Sequence, residues 1–221
     1  GRTVGEAMLN DPRLPLISFT GSTETGSKVG ETCGRMHKRL SLEMGGKNAQ
    51  IVLDDANLDL ALDGVLWGAF GTTGQRCTAT SRLILQDGIH DAFVARLAER
   101  AKALVLGDGR AKGTDVGPVI HAESLAKIGR YVEIGLAEGA TLTLGGQRAT
   151  GPGLERGFFF QPTIFTGVRP EMRIAQEEIF GPVLSIIRFQ DEAEAIEIAN
   201  GTPYGLQATL WSGQIDRALR V

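Results

Sequence analysis

The first residue able to do chemistry is Cys77. Gly74-Gln75-Arg76-Cys77-Thr78 sets its thiol in a glycine-framed turn between a helix-like and a strand-like stretch. A buried structural cysteine usually sits mid-element among apolar residues as a small hydrophobe, and Cys33, late in a helix-like run beside Gly34, reads that way. At Cys77, Arg76 and the backbone N–H groups of the turn favour the thiolate, the form that attacks carbonyl carbon. The same residues also fit a loop cysteine of no consequence. A second candidate is Glu43 in Leu42-Glu43-Met44-Gly45-Gly46-Lys47-Asn48, a carboxylate near the end of an apolar strand, where burial would make it a better general base. Its glycines let backbone and ligand approach closely, and its plain alternative is an ion pair with a neighbouring lysine.

Two further segments suit a nucleotide. Gly21-Ser22-Thr23-Glu24-Thr25-Gly26 joins a strand expected to be buried to a helix, so N–H groups and the positive end of the helix dipole face outward, as phosphate requires. Ser27 stands where a P-loop needs lysine, which disfavours a nucleoside triphosphatase. A simple Ser22 N-cap explains the same residues. Gln176-Glu177-Glu178-Ile179-Phe180-Gly181-Pro182 ends a short helix in a turn exposing a carboxylate suited to ribose hydroxyls and an aromatic ring suited to a nucleotide pocket. A solvated acidic helix end with a core phenylalanine is the alternative.

Strand-like and helix-like runs alternate along the chain, which predicts an α/β fold with a mainly parallel sheet. Strands are expected over Leu16–Phe19, Lys38–Met44, Ala49–Leu53, Ser81–Gln86, Thr141–Leu144, Phe158–Phe165, Val183–Phe189 and Leu206–Leu210. Pro162 predicts an edge or bulge in the sixth of these. A helix from Asn57 carries Leu58, Ala61, Leu62, Val65 and Ala69 on one face, and others are expected over His90–Leu104, Ala122–Glu138, Met172–Glu177 and Ala193–Ala199, with a last one from about Asp216.

Composition bounds the partners. The 221 residues are 42% apolar and 22% charged with a net charge of −3, values that exclude disorder and give no electrostatic reason to expect nucleic acid or an acidic membrane. The longest uncharged run, Ile198–Ile215, contains Pro203 and three glycines and makes no membrane helix. Two cysteines 44 residues apart form no disulfide framework, so a reducing cytoplasm is expected. His37, His90 and His121 are scattered, and no metal site is expected. A thiol hydrolase using Cys77 would need a histidine partner, which none of these supplies in a convincing context. A non-catalytic relative would be expected to lack Cys77 or Glu43.

In order, Phe19-Thr20-Gly21-Ser22-Thr23, Leu42-Glu43-Met44-Gly45-Gly46-Lys47, Gly74-Gln75-Arg76-Cys77, Glu178-Ile179-Phe180-Gly181-Pro182 and Asn200-Gly201-Thr202-Pro203-Tyr204-Gly205-Leu206 resemble the signatures of the aldehyde dehydrogenase superfamily over essentially the whole chain. The resemblance implies the C-terminal part of a Rossmann-like NAD- or NADP-binding domain over 1–46 and most of an α/β catalytic domain over 47–221. It implies that Cys77 adds to an aldehyde, with its N–H as one oxyanion donor, and that Glu43 activates water to hydrolyse the thioester. Gly21 and Ser22 would lie by the pyrophosphate, Met44 would offer its carbonyl to the carboxamide, Glu178 would bind the nicotinamide ribose and Phe180 would pack by the ring. Family members are longer and form homodimers or homotetramers, so this chain resembles an internal segment, with Gly1–Gly5 as the tail of a glycine-rich turn. An upstream oxyanion asparagine, a ribose-binding lysine and the last strands are absent, and these residues alone are expected to be inactive. Gln75–Arg82 resembles the branch acting on carboxylate-bearing semialdehydes.

Overall fold

The computed structural model describes residues 2–221, so Gly1 of the expected glycine-rich turn lies outside the described residues. The chain divides into two compact units, Gly1–Gly45 and Gly46–Val221. In the first, α1 (Arg2–Asn10), β1 (Leu16–Thr20), α2 (Thr23–Arg35) and β2 (Arg39–Glu43) follow in order. β1 and β2 pair in parallel, from Leu16 opposite Arg39 to Thr20 opposite Glu43, and α2 is the crossover that a parallel pair requires. Ser22 caps α2: its backbone is extended and its Oγ accepts the Thr25 N–H at 3.3 Å, which satisfies one donor of the first turn. The helix then buries Gly26, Val29 and Cys33, spaced three and four apart.

The sequence overestimated how deeply these two strands are buried. β1 alternates exposed and half-buried residues, and β2 is exposed at every position except Leu42. Two strands and one crossover helix have too little apolar surface to cover both faces of a sheet.

The second unit is built on six strands, β3 (Asn48–Val52), β4 (Thr80–Gln86), β5 (Thr141–Leu144), β6 (Thr163–Thr166), β7 (Val183–Phe189) and β8 (Ala208–Trp211). Their order is β5-β6-β7-β4-β3-β8, parallel throughout except for β5 against β6. Successive residues point to opposite faces. Val52, Leu83 and Leu85 therefore pack with Leu62 and Val65 of α3 (Leu58–Phe70) and with Phe93 and Leu97 of α4 (Asp87–Lys102). Ala49, Ile51 and Ile84 pack with Ile128 and Val132 of α5 (Ala122–Ala137), Ile174 of α6 (Arg173–Gln176) and Ile198 of α7 (Glu192–Asn200). Leu62, Leu83, Leu85 and Leu97 are wholly buried, and each such leucine contributes about 1.5–3 kcal/mol over an exposed one. A short α8 (Ile215–Arg220) ends the chain.

The expectation of an edge at Pro162 is also corrected. β6 starts at Thr163, just past the proline, and runs inside the sheet between β5 and β7. There the missing N–H removes no ladder bond, and the register irregularity falls in the partner strand between Leu142 and Leu144. Among the described residues no helix is long and apolar enough to cross a membrane.

Candidate functional site

In the first unit the candidate residues meet at the carboxyl ends of β1 and β2. The Gly21 N–H donates to the Glu43 carbonyl at 3.0 Å, so the turn carrying Gly21 and Ser22 is fixed to the end of β2. Met44 packs its thioether against Gly26 of α2. The amino terminus of α2 is exposed from Gly21 to Thr25, which leaves N–H groups available to an anion. Glu43 is exposed, contrary to the burial expected of it, because β2 is so little covered. Among the described residues it makes no ion pair, so the lysine pairing held as its alternative is not formed either.

In the second unit the chemistry-bearing segments each immediately precede a strand: Gly46-Lys47 before β3, Cys77 before β4, Glu178 to Gly181 before β7 and Asn200 to Leu206 before β8. β7, β4, β3 and β8 are consecutive and parallel, so all four segments emerge at one amino-terminal edge of the sheet. Residues as far apart in sequence as 46 and 178 thereby become neighbours.

Gly46 is the centre of that edge. Its N–H donates to Glu178 Oε1 at 3.1 Å, and a Cβ there would overlap the Cys77 carbonyl oxygen and lie 2.8 Å from Asn48 Oδ1. Only glycine allows the backbone to pass so close. Asn48 Nδ2 donates to the carbonyls of Cys77 at 2.6 Å and Ala79 at 2.9 Å, tying the cysteine loop to β3. The Cys77 side chain is half-buried while Cys33 is buried.

The cysteine loop is wound tightly. After α3, Thr72, Thr73 and Gly74 all have positive φ, at 52°, 59° and 65°, a left-handed conformation unfavourable for threonine. Thr73 Oγ1 to the Gly117 carbonyl at 3.0 Å and the Ile120 N–H to Gln75 Oε1 at 2.9 Å help to hold it. A Cβ on Gly74 would overlap the Gly181 carbonyl, so this loop lies directly on the turn carrying Glu178 and Phe180. Phe180 itself has φ of 61° and is 39% exposed.

Arg76 departs from its expected role beside the thiol. Its Nη2 donates to the carbonyls of Trp67 at 3.2 Å and Gly68 at 3.4 Å, and its guanidinium stacks 3.9 Å from the Trp67 ring centre. The charge thus caps the carboxyl end of α3, where a cation is favoured.

Sequence reasoning missed three buried polar residues at this edge. Arg82 is 3% exposed and donates to the carbonyls of Lys47, Ile198 and Ala199 at 2.9, 2.6 and 2.7 Å; burial lowers its pKa to about 10. Lys47 is 1% exposed, with an Nζ that has no hydrogen-bond partner. Burial first, then the Arg82 charge, lower its pKa to about 7 against the opposing pull of Glu178 and Glu177. Asn48 completes the set. The available signal was polarity within or beside strand-like runs, since Gln50 and Arg82 interrupt otherwise apolar segments and Asn48 stands just before one.

The histidines lie elsewhere. His90 is engaged by Asp91 and Arg188, His121 caps α5 through the Ser124 N–H, and His37 lies in the turn after α2 with φ of 54°. Among the described residues no group of three or more His, Cys, Asp or Glu could hold a metal ion.

The profile of the Aldehyde dehydrogenase family matches residues 1–221. The chain is 48% identical over 221 residues to the betaine aldehyde dehydrogenase of Bacillus subtilis (strain 168), covering 100% of this chain and 45% of that protein. It is 40% identical over 219 residues to the alpha-ketoglutaric semialdehyde dehydrogenase of the same strain, covering 99% and 45%. A crystal structure of betaine aldehyde dehydrogenase from Staphylococcus aureus in complex with NAD+ superposes with a TM-score of 0.96 at 41% identity, covering 98% of this chain and 43% of that one. The chain thus spans about 45% of the length of the curated relatives it matches.

Proposed function

The chain belongs to the aldehyde dehydrogenase family, and from that premise we propose that it carries the nucleophile, the base and part of the cofactor cradle of an NAD- or NADP-dependent oxidation of an aldehyde to a carboxylate. The observation supporting this most directly is the convergence on Gly46, whose N–H holds Glu178 and whose Cα lies against the Cys77 carbonyl. A turn suited to a ribose and a turn carrying a thiol are thereby built against each other.

The residues present fit the cofactor. Gly21 and Ser22 at the exposed start of α2 suit a pyrophosphate, the Met44 carbonyl a carboxamide, Glu178 a ribose diol and the part-exposed Phe180 a flat ring. When bound, the nicotinamide supplies the two-electron oxidant that converts a Cys77 thiohemiacetal into a thioester. The work of the chain lies on either side of that conversion. The Cys77 thiolate adds to the aldehyde carbon. Among the described residues the Cys77 N–H donates to no protein acceptor, which leaves it free as an oxyanion donor. Glu43 takes a proton from water, the resulting hydroxide attacks the thioester carbon, and the carboxylate leaves as the thiol is restored.

For the substrate we favour a semialdehyde bearing a carboxylate, on the strength of the Gln75–Arg82 stretch and of the relative acting by name on alpha-ketoglutaric semialdehyde. A reducing cytoplasm suits the two free cysteines, and a homodimer or homotetramer suits the family. The thiol-hydrolase alternative finds no support in His90 or His121, both committed to other partners.

The test is stopped-flow absorbance of reduced cofactor, using protein expressed from the complete gene. Cys77→Ala should abolish oxidation. Glu43→Gln should retain a first-turnover burst while steady turnover falls about 10²–10⁴-fold, the range of general-base contributions. A Cys77→Ala protein that oxidises aldehyde at the wild-type rate would sink the assignment.

A further inference from the structure

One buried amide grips the turn that carries the Cys77 thiol. Asn48 is the first residue of β3 and is buried, and its Nδ2 donates to the carbonyls of Cys77 at 2.6 Å and Ala79 at 2.9 Å. Between those carbonyls the chain reverses. The Ala79 N–H donates to the Arg76 carbonyl at 3.0 Å, which sets Cys77 and Thr78 at the two central positions of a four-residue turn.

The direction of a side chain follows from the two planar peptide units that flank its Cα. The unit before Cys77 carries the Cys77 N–H and the Arg76 carbonyl, and the Ala79 N–H holds it. The unit after Cys77 carries the Cys77 carbonyl, which among the described residues accepts one hydrogen bond, that from Asn48. Behind this carbonyl the Gly46 backbone stands so close that a Cβ would overlap the oxygen. Removing the Asn48 amide therefore frees the second unit, and with it the angle between the Cys77 Cα–Cβ bond and the Cys77 N–H.

The amide is kept although part of it is unsatisfied. Asn48 Oδ1 is buried without a hydrogen-bond partner, an arrangement that destabilises a fold. Turning the amide over offers no remedy, because Oδ1 would then face two carbonyl oxygens. Leucine is of similar size and would bury no orphaned acceptor, but it would hold neither carbonyl.

We propose that Asn48 is a positioning residue for Cys77, fixing the peptide unit after the nucleophile so that the thiolate and the Cys77 N–H meet one carbonyl group together. The role rests on the reading of Cys77 as nucleophile and of its N–H as oxyanion donor. In the step it serves, the S–C bond forms as the carbonyl π pair moves onto oxygen, and the N–H meets the charge that develops there. Asn48 itself touches neither substrate nor cofactor. Its loss should slow aldehyde addition and spare a reaction that needs thiolate and access alone. Alkylation by iodoacetamide is such a reaction, since sulfur displaces iodide from a CH₂ carbon and no oxyanion forms.

The experiment uses protein expressed from the complete gene and compares three quantities in wild type and Asn48→Ala. They are the burst rate constant of reduced cofactor at saturating NAD+ and aldehyde, the alkylation rate of Cys77 by iodoacetamide, and NAD+ affinity by calorimetric titration. The burst should slow about 10–100-fold, as misplacement of a reacting group by about 1 Å does. Alkylation and NAD+ affinity should stay within about threefold of wild type. An undiminished burst overturns the proposal, and so does a fall in alkylation or NAD+ affinity as large as the fall in the burst, which marks a general loosening of the site. If Asn48→Ala does not fold, Asn48→Asp, which keeps the shape and loses N–H donors, takes its place under the same criteria. Cys77→Ala is measured alongside. Oxidation by it at the wild-type rate overturns the nucleophile reading and the proposal together, whereas an inactive Cys77→Ala beside a full burst in the Asn48 variant overturns the role of Asn48 alone.

Discussion

The burial of Lys47 predicts an unusual dependence of stability on pH. In the unfolded chain this lysine titrates at its ordinary value of 10.5, and in the folded protein at about 7. Below pH 7 the group is protonated in both states, so folding carries the full cost of burying the charge. Between 7 and 10.5 the unfolded state binds more protons, and stability therefore rises with pH at up to about 1.4 kcal/mol per unit. From pH 6 to pH 9 the folded form should gain about 2–3 kcal/mol from this residue. Lys47→Met removes the titration and keeps the volume, so titrating groups that do not interact with Lys47 cancel in the difference between the two proteins. Urea unfolding followed by tryptophan fluorescence suits the measurement, because Trp67 and Trp211 both lie in the Gly46–Val221 unit. The variant should be the more stable relative to wild type at pH 6, and that advantage should shrink by about 2–3 kcal/mol at pH 9. A difference in unfolding free energy that is constant across this range would refute the reasoning.

Two other outcomes are expected. Iodoacetamide should label Cys77 before Cys33 in the native protein, since Cys33 is 1% exposed and thiolate access controls the rate; peptide mapping showing equal labelling would count against Cys77 as the reactive thiol. Gly46→Ala should cost about 1–3 kcal/mol of stability through overpacking and lower cofactor affinity by moving the N–H that holds Glu178, whereas a variant matching wild type in both thermal unfolding and NAD+ titration would show that the close approach to Cys77 is unimportant.

The sequence by itself determined the element types and the chemistry of the principal residues. Local causes suffice for both. The Ser22 cap, the spacing of Ala61, Leu62, Val65 and Ala69 in α3 and the apolar run of β7 are properties of a few adjacent residues. The thiol at Cys77 and the carboxylates at Glu43 and Glu178 are chemical facts of composition. What tertiary structure decided was everything that depends on neighbours distant in sequence. The exposure of Glu43 follows from how little covers β2, and the interior place of β6 follows from strand order. Arg76 turned to α3 because the carbonyls at its carboxyl end attract a cation. Lys47 was most hidden from sequence reasoning, because a lysine after two glycines reads as an exposed loop residue. Only the parallel packing of β7, β4, β3 and β8, which brings residues 46, 82 and 178 together across more than 130 positions of chain, buries it away from water.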